Sequence, residues 1–554
     1  MNIKELLQDA IGQAAQDAMT DGVFCLPVLP PVMLEIPPQK EYGDYATNFA
    51  MQMARGAKTN PRKIAEAIVE RLQFPWMERA EIAGPGFINF YLKPDWLYAM
   101  LSDIIAAGEC FGQTDAGQGE KVQVEFVSAN PTGPLHVGHG RGAAVGSALA
   151  NLLQMAGYDV EKEYYINDAG NQMDNLALSV NARYLELLGI ESDFPEDGYH
   201  GQDIIVTAQR IIAQAGDEYL KISQQERLDV FRELARQEKL SILREDLEAF
   251  GVTFDIWFSE KCLHENGEIA KTCKALQNNG FIYEQDGALW LKSTAYGDDK
   301  DRVVIRDNGV PTYLAADIAY HHDKFKRGFQ KVINIWGADH HGYICRVKAA
   351  VSALGYNSDD LEVLILQMVN LFQGGEVVKM SKRTGQGVTL AELIEEVGCD
   401  AARFFFIMRS IDSQLDFDMD LAKSRSNDNP VYYIQYAYAR IASVFRQLEE
   451  IDVSVDRKNA VNMELLTTSY ELDLIKKMGE FPDEVASAAQ ERAPHRIARY
   501  AHELAGLFHS FYNQCRVIGV DPELQTARIA LITAVQITIR QTLKILGVSA
   551  PEKM

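Results

Sequence analysis

The sequence predicts an α/β protein in which a doubly wound parallel sheet lies between an N-terminal α+β domain and an all-α C-terminal domain. Strand-like apolar runs alternate with helical patterns from about residue 121 to residue 370, as in a parallel sheet covered by helices. Mixed patterns precede this region, and only helical periodicity follows residue 420. Since 554 residues are too many for one core, we predict domains at 1–112, 113–415 and 416–554.

The N-terminal region begins with an amphipathic helical pattern, MNIKELLQDAIGQAAQDAM. Its acids distinguish it from a signal peptide. A loop-rich middle, KEYGDYATNFAMQMA, leads to a strand-like segment, GPGFINFYL. The polar, glycine-containing segment from Phe111 to Glu120 is typical of a linker.

The central region begins with a β-α-β pattern. VQVEFV is a buried strand, Gly138 to Met155 a helix, and VEKEYYIN the next strand. Residues 180–290 are mostly charged helix and are predicted to form a helical insertion. Strand-like runs return at RVVIRD, KVINIWG and LEVLILQMV. We therefore expect one parallel sheet that the insertion interrupts.

The formal charge of −24 argues against a nucleic-acid partner, because affinity for phosphates comes largely from Lys and Arg. Binding is decided by local patches, however, and the segment from Arg492 to Arg516 carries four arginines and one acid, Glu503. This segment is either an ordinary solvated helix face or a local basic stripe that binds nucleic acid.

Cysteine usage and hydropathy indicate a cytoplasmic protein. The seven cysteines are scattered, without a CxxC pair, so neither a disulfide framework nor a zinc ribbon is expected. No apolar run reaches about 18 residues, so we expect no transmembrane helix and no membrane partner.

An unusual turn, SANPTGPLHVGHGRGAAVG, follows VQVEFV directly and holds two histidines, His136 and His139. A zinc protease helix needs H-E-x-x-H, which differs in spacing and lacks its glutamate here. Gly138, Gly140 and Ala143 satisfy G-x-G-x-x-A, but a dinucleotide fold places its first glycine at the strand end.

Two further interpretations of the turn stay open. It is a packed turn whose histidines satisfy backbone groups, or it binds a nucleotide in another geometry. In the second case the glycines let the backbone approach the nucleotide, and the imidazoles donate to phosphate oxygens beside a helix N-terminus.

A second motif favours nucleotide binding. HVGH resembles the HIGH signature of class I aminoacyl-tRNA synthetases, and KMSKR, from Lys379 to Arg383, resembles their KMSKS signature. The contexts EYYINDAGNQ, YLAADIAY, WGADHHGY, DAARFFFIMRS and DNPVYYIQYAYARI are similar to bacterial arginyl-tRNA synthetases over essentially the whole chain.

This resemblance implies a Rossmann-like catalytic domain, an N-terminal domain that contacts the tRNA D-loop and a helical anticodon-binding domain. The implied activity is that of an arginine–tRNA ligase, which forms arginyl-adenylate and pyrophosphate from L-arginine and ATP with Mg²⁺. Arginine then passes to the 3′ end of its tRNA for protein synthesis. A cytoplasmic monomer without a resident metal site is expected.

The resemblance also implies site residues. Catalytic roles fall to His136, His139, Lys379 and Lys382. ATP-binding residues are Pro134, His136, Gly138, His139, Lys379, Met380, Ser381 and Lys382. Arginine-binding residues are Glu125, Ser128, Ala129, Asn130, His139, Tyr313, Asp317 and His340. tRNA-binding residues are Asn89, Arg499, Tyr512, Asn513 and Met554.

Physical reasoning about the pocket agrees with part of this assignment. A guanidinium substrate needs carboxylates in a fixed geometry, and Tyr313 and Asp317 share a face if YLAAD is helical. Glu125 lies near the end of the first strand of the sheet, where it either binds substrate or forms a structural ion pair. Two other functions stay open: a nucleotidyl-transfer enzyme without tRNA, and a non-enzymatic RNA-binding protein.

Overall fold

The computed structural model describes residues 3–378, 387–450 and 461–554. The chain folds into two compact units. The first comprises residues 1–111, 444–480 and 507–537, and the second comprises residues 112–443, 481–506 and 538–554. Each unit draws on separated parts of the chain, and the division into three consecutive domains stays a prediction.

The N-terminal part of the first unit is an α+β fold around an antiparallel sheet. Its elements are α1 (Ile3–Thr20), β1 (Tyr45–Thr47), α2 (Phe49–Ala57), α3 (Pro61–Arg71), β2 (Met77–Ala83), β3 (Phe87–Leu92) and α4 (Asp95–Ala107). The strand order is β1-β3-β2. The predicted loop KEYGDYATNFAMQMA is wrong in part, because it contains β1 and the start of α2. Tyr45 of β1 pairs with Phe90 of β3. Because these partners are far apart in sequence, the local sequence around Tyr45 does not reveal the strand.

The second unit is built on a parallel sheet, which confirms the predicted fold class. Its elements begin with β4 (Lys121–Glu125), α5 (Val137–Met155), β5 (Asp159–Ile166), α6 (Asn171–Leu187), α7 (Gln202–Ala215), α8 (Gln224–Ala249) and β6 (Ile256–Ser259). They continue with α9 (Glu260–Glu265), α10 (Glu268–Asn278), β7 (Ile282–Gln285), β8 (Ala288–Leu291), β9 (Arg302–Ile305), α11 (Tyr313–Lys326), β10 (Lys331–Gly337), α12 (Ile344–Ala353) and β11 (Leu361–Leu366). The strand order is β11-β10-β4-β5-β6, with every pair parallel.

Two parts of this region differ from the sequence analysis. RVVIRD was expected in the parallel sheet, but β9 belongs to a separate antiparallel sheet of order β7-β8-β9. Of its four residues only Val304 is fully buried, whereas strands of a parallel sheet are covered on both faces. Conversely, β6 lies within residues 180–290 and pairs with β5. That segment is therefore more than a helical insertion, since it supplies an edge strand of the main sheet.

Helices dominate the rest of the chain, as predicted from residue 420 onward. A small sheet of β12 (Val369–Gln373), β13 (Glu376–Val377) and β14 (Leu415–Asp418) comes first. The helices are α13 (Leu390–Val397), α14 (Cys399–Ile407), α15 (Met419–Lys423), α16 (Pro430–Glu450), α17 (Ser469–Gly479), α18 (Phe481–Gln490), α19 (His495–Gln514) and α20 (Pro522–Leu546). By length and composition α20 could cross a membrane, but 72% of its most apolar window is buried, so this is weak evidence for a span.

The order of the parallel strands indicates where a ligand binds. From β4 the chain proceeds to β5 on one side of the sheet and later returns to β10 on the other. Ligands of such sheets lie beyond the carboxyl ends of the strands at this reversal. There, Glu125 of β4 pairs with Asn334 of β10 and with Glu163 of β5. Polar residues of three adjacent strands thus meet at the expected position.

Candidate active site

The chain turns sharply where β4 ends. Val127 and Ser128 have φ values of 68° and 42°, which residues with a side chain rarely adopt. The Ser128 N–H donates to the Phe126 carbonyl at 3.0 Å, and the Ser128 hydroxyl donates to Glu125 Oε1 at 3.0 Å. The N–H of Tyr165, on β5, donates to the Ser128 hydroxyl oxygen at 3.2 Å. Backbone strain that neighbouring contacts maintain in this way is concentrated at functional sites.

The HVGH turn caps helix α5 with its own histidines. His136 Nδ1 accepts from the Gly138 N–H at 3.2 Å, and His139 Nδ1 accepts from the His136 N–H at 3.3 Å. The rings stack with their centroids 3.7 Å apart. Because each Nδ1 accepts a hydrogen bond, each neutral ring carries its proton on Nε2. Two Nε2–H donors therefore stand at the N-terminus of α5, the positive end of the helix dipole.

Burial disfavours the charged form of both histidines. Partial burial lowers the pKa of His136, and burial together with the neighbouring His136 lowers the pKa of His139 to about 3. Stacked imidazolium ions would repel each other, whereas neutral rings can stay in contact. Neutral N–H donors beside a helix N-terminus are suited to phosphate oxygens.

The glycines of this turn do more than clear space for a ligand. A Cβ on Gly140 would lie 2.7 Å from Leu390 Cδ1, and a Cβ on Gly146 would lie 2.2 Å from the Phe126 ring. These two glycines therefore let α5 pack closely on its neighbours. For Gly138 and Gly142, the expectation that a missing side chain admits a nucleotide stays a prediction.

The HVGH turn contacts the segment that follows KMSKR. His136 forms an antiparallel bridge with Thr389, and the Leu390 N–H donates to the Leu135 carbonyl at 2.8 Å. The Thr389 side chain in turn caps α13. The predicted site residues Lys379, Met380, Ser381 and Lys382 lie outside the described residues. The described residues that contact the HVGH turn are Thr389 and Leu390, which lie a few residues after the second signature.

A buried ion pair stands at the end of β4. Glu125 Oε2 accepts from the Lys324 ammonium at 2.5 Å, with both side chains almost fully buried. Burial alone would raise the pKa of Glu125, but the charge and hydrogen bond of Lys324 outweigh it, so this pKa is lowered. Glu125 is thus ionised and forms an ion pair with Lys324, and its binding of substrate stays a prediction.

Asp317 lies near the start of α11 and is half-buried. Its Oδ2 accepts from the Tyr343 hydroxyl at 2.6 Å. Burial raises the pKa of Asp317 to about 7; the Tyr343 hydrogen bond opposes this shift, and the carboxylates of Glu260 and Glu125 add to it. In the described part of the chain, no lysine or arginine forms an ion pair with Asp317. The site therefore holds an acid without a cationic partner.

Glu260 is a second such acid, and the sequence analysis missed it. It begins α9 and is 5% exposed. Its Oε2 accepts from the Tyr165 hydroxyl at 2.8 Å, and its Oε1 lies 3.4 Å from His264 Nε2. An available signal was its position directly after IWFS, the run that forms β6, because the carboxyl ends of parallel strands meet at one edge. Tyr343 was also missed, although it belongs to the motif WGADHHGY.

Two predicted arginine-binding residues stay apart from these acids. The helix over YLAAD is confirmed, but Tyr313 is its first residue and is 60% exposed. Tyr343, not Tyr313, contacts the Asp317 carboxylate. His340 is exposed, and its Nε2 lies 3.6 Å from Asp339.

Three other predicted residues lie on the loop between β4 and α5. Ala129 is buried, and its carbonyl accepts from the Tyr164 hydroxyl at 2.8 Å. Asn130 is half-buried beside it, and Pro134 is exposed next to the HVGH turn. The backbone near Ala129 is thus fixed from β5.

The expected basic stripe is largely neutralised by acids from elsewhere in the chain. Arg492 binds Glu362 at 2.9 Å, and Arg496 binds Glu484 at 2.8 Å. The Arg499 side chain is 63% exposed and lies 4.0 Å from Glu484. The count of charges from Arg492 to Arg516 did not include Glu362 and Glu484, because these acids lie outside that segment.

The other residues predicted to bind tRNA differ in exposure. Asn513 is exposed, Met554 is 53% exposed and Tyr512 is half-buried. Asn89 is only 7% exposed in the central strand β3, so little of its side chain is available to a partner in this conformation. Their roles stay predictions.

Comparison with known proteins agrees with this site. Residues 1–92 match the arginyl tRNA synthetase N-terminal domain, residues 100–408 match the catalytic domain of class I tRNA synthetases (R), and residues 434–554 match the DALR anticodon binding domain. The matches follow one another along the chain. The middle match contains the HVGH turn and the buried acids.

Relatives of known function extend over the full length. An arginine–tRNA ligase of Bacillus cereus is 57% identical over 558 residues, which cover 100% of each chain. One of Carboxydothermus hydrogenoformans is 56% identical over 522 residues, or 94% of each chain. The solved Thermus thermophilus arginyl-tRNA synthetase shares the fold, with a TM-score of 0.76 at 24% identity over 99% of this chain and 100% of that one. The chain therefore belongs to the arginyl-tRNA synthetases, the class I ligases that join arginine to tRNA.

Proposed function

We propose that the chain activates L-arginine with ATP at the carboxyl edge of its parallel sheet and then transfers arginine to the 3′ end of its tRNA. One observation carries the proposal: a pair of neutral Nε2–H donors and a group of buried acids occupy the same sheet edge. The donors suit phosphate oxygens. The acids suit a substrate with a guanidinium group.

In the activation step, an oxygen of the arginine carboxylate bonds to the α-phosphorus of ATP. The bond between the α-phosphorus and the bridging oxygen breaks, and pyrophosphate leaves. The reaction requires no protein nucleophile, so the protein contributes positioning and charge stabilisation. His136 and His139 donate from Nε2–H to the phosphates, and the turn from Pro134 to Gly138 lines the nucleotide site. Lys379 and Lys382, with Met380 and Ser381, are assigned to the pyrophosphate by their motif.

Mg²⁺ enters with ATP, bound mainly by phosphate oxygens and water. The described residues include no group of three or more side chains that could hold a metal ion. The donor set at the HVGH turn, two imidazole N–H groups, suits phosphate rather than metal. We therefore assign the ion to the substrate complex and not to a protein site.

The guanidinium of arginine binds Asp317 and Glu260, two acids of this sheet edge that form no ion pair with a lysine or arginine among the described residues. Tyr343 and Tyr165 hold these carboxylates in place through their hydroxyl groups. Glu125 and Ser128 bind the α-ammonium end, near the strained turn. Asn130 and the backbone of Ala129 complete that end. Tyr313 and His340, both exposed, are further proposed arginine contacts on the basis of their motifs alone.

We further propose that the enzyme is a cytoplasmic monomer without a membrane partner. Its N-terminal domain contacts the tRNA D-loop, and its C-terminal helices bind the anticodon. Arg499, Tyr512, Asn513 and Met554 offer the accessible tRNA contacts, whereas Asn89 requires a local rearrangement. If tRNA binds at a local basic stripe on a chain whose formal charge is −24, salt screens that local attraction, and tRNA affinity should fall steeply as salt rises. A flat dependence of the dissociation constant on salt would contradict this.

Pyrophosphate exchange into ATP, run with each of the twenty amino acids with and without total tRNA, tests the function. Of the twenty amino acids, we expect only arginine to support exchange. If exchange also requires tRNA, then tRNA binding is coupled to arginine activation. Exchange with another amino acid would contradict the assigned pocket. A lack of exchange in every mixture would favour an RNA-binding protein without catalytic activity.

A further inference from the structure

A buried lysine stands behind the arginine pocket. The side chain of Lys324, on α11, has no exposed surface. Its ammonium donates to Glu125 Oε2 at 2.5 Å and to Asn334 Oδ1 at 3.0 Å, and it lies 4.3 Å from the centroid of the Tyr320 ring. A group so enclosed cannot contact a substrate directly. Any effect of Lys324 on arginine must therefore act through Glu125.

The hydrogen bonds of this cluster have only one consistent direction. Because Asn334 Oδ1 accepts from the ammonium, its Nδ2 is the donor to His321 Nε2, at 2.8 Å. His321 then carries its proton on Nδ1, which donates to the Asp317 carbonyl at 2.8 Å. The chain therefore runs from Glu125, at the end of β4, to the helix turn that carries Asp317. It joins the Glu125 carboxylate to the backbone that presents Asp317.

We propose that Lys324 is a positioning residue for arginine recognition, keeping Glu125 ionised and fixing it relative to Asp317. This inference rests on the proposed function, since it assumes that Glu125 binds the ammonium end of arginine. Burial penalises the ionised form of a carboxyl unless a cation compensates it. Without Lys324, Glu125 would hold a proton and lose its attraction for a cation.

The groups that face Glu125 decide what a pH profile can show. From the surrounding elements these are Lys324, His321, Tyr320 and Asp317 of α11, Ser128 of the turn, Tyr165 and Glu163 of β5, and Asn334 of β10. Burial lowers the pKa of His321 to about 4, so this residue is neutral above pH 6. Glu163 is paired with Arg327 at 2.7 Å. In the native protein, Asp317 is therefore the group expected to titrate between pH 6 and 9.

Lys324→Met tests the proposal, with Lys239→Met as the matched control. Lys239 is also buried and also binds a carboxylate, that of Asp203 at 2.6 Å, but it lies among the insertion helices α7 and α8. Arginine affinity is read by titration calorimetry, and the KM values for arginine and ATP by pyrophosphate exchange. Lys324→Met should weaken arginine binding by about tenfold or more while the KM for ATP stays within about twofold. Lys239→Met should lower thermal stability without changing arginine affinity.

A pH profile and a double variant separate positioning from simple structural support. A plot of log Kd for arginine against pH should have a limiting slope of about −1 in the native protein and steepen toward −2 in Lys324→Met, as Glu125 becomes a second titrating group. In a Glu125→Gln background, Lys324→Met should have no further effect on arginine affinity. That pair of variants also serves if Lys324→Met alone does not fold, because the Gln–Met pair leaves no buried charge.

Unchanged arginine affinity and pH slope in Lys324→Met would overturn the proposal. The proposal would also be overturned if the effects of Glu125→Gln and Lys324→Met on arginine affinity multiply in the double variant. If the native protein binds arginine but does not support pyrophosphate exchange, the proposed function fails. The calorimetric comparison of Lys324→Met with the native protein then still tests the role of Lys324. If native protein binds no arginine, both fail.

Discussion

The two ends of the candidate site use opposite electrostatic designs. At the HVGH end, two neutral imidazoles and a helix N-terminus provide donors, and burial keeps the pKa of His139 near 3. At the proposed arginine end, Glu125 and Glu260 are buried, Asp317 is half-buried, and one buried lysine, Lys324, pairs with Glu125. One end is matched to an anion by partial charges, and the other is matched to a cation by full charges.

The difference also concerns how each end is assembled. The phosphate end is folded locally, since His136 and His139 cap one helix through backbone groups within three residues of each other. The arginine end combines β4, α9 and α11, which are separated by well over a hundred residues in all. Changes at the arginine end should therefore alter substrate choice, whereas changes at the phosphate end should alter the chemical step.

The largest effect is expected from Asp317→Asn. It keeps the shape and the Tyr343 contact but removes the charge that a guanidinium needs. We expect kcat/KM for arginine to fall on the order of 10³-fold, with the KM for ATP unchanged. Asp323→Asn is the matched control, because Asp323 lies on the same helix and binds Arg327 at 2.9 Å. Equal losses in both variants would contradict the role of Asp317.

A smaller loss should follow His139→Asn. Its Oδ1 can replace Nδ1 as acceptor for the His136 N–H, but the side chain is too short to supply the Nε2–H donor. We expect kcat for exchange to fall about 10²-fold with little change in thermal midpoint. His139→Gln, whose amide reaches farther, should recover part of the activity. If the two variants lose activity equally and also lose stability, the capping role alone would explain His139.

Glu260→Gln should produce a moderate change in arginine recognition. Removing one of two carboxylates should raise the KM for arginine roughly thirtyfold while kcat changes little. Glu265→Gln, on the same helix, serves as the control. Glu265 is exposed, and its replacement removes only its ion pair with Lys261, at 3.6 Å. A KM for arginine that matches the control would remove Glu260 from the pocket.

The same contrast explains what could be predicted from the sequence. The HVGH turn and the strand before it lie in one continuous stretch, so their local structure follows from spacing and apolar pattern. Glu260 and Tyr343 join the pocket only through the sheet order, which places the end of β6 near the start of α11. RVVIRD was placed in the wrong sheet for the same reason: a short apolar run does not reveal its partner strand. Tyr313 shares a helix face with Asp317, but it begins the helix and is therefore exposed.

The smallest predicted effect is a difference in pH dependence between the two ends. Burial raises the pKa of Asp317 to about 7, so the ionised form that binds a guanidinium is the minor form below this pH. Arginine binding should therefore strengthen by roughly tenfold between pH 6 and pH 8 and then level off. Burial lowers the pKa of both HVGH histidines, that of His139 to about 3, so the KM for ATP should change much less with pH than arginine binding does. A KM for ATP that changes through pH 6.5 would instead indicate a titrating histidine and break the contrast, whereas a pH dependence confined to arginine would sharpen it.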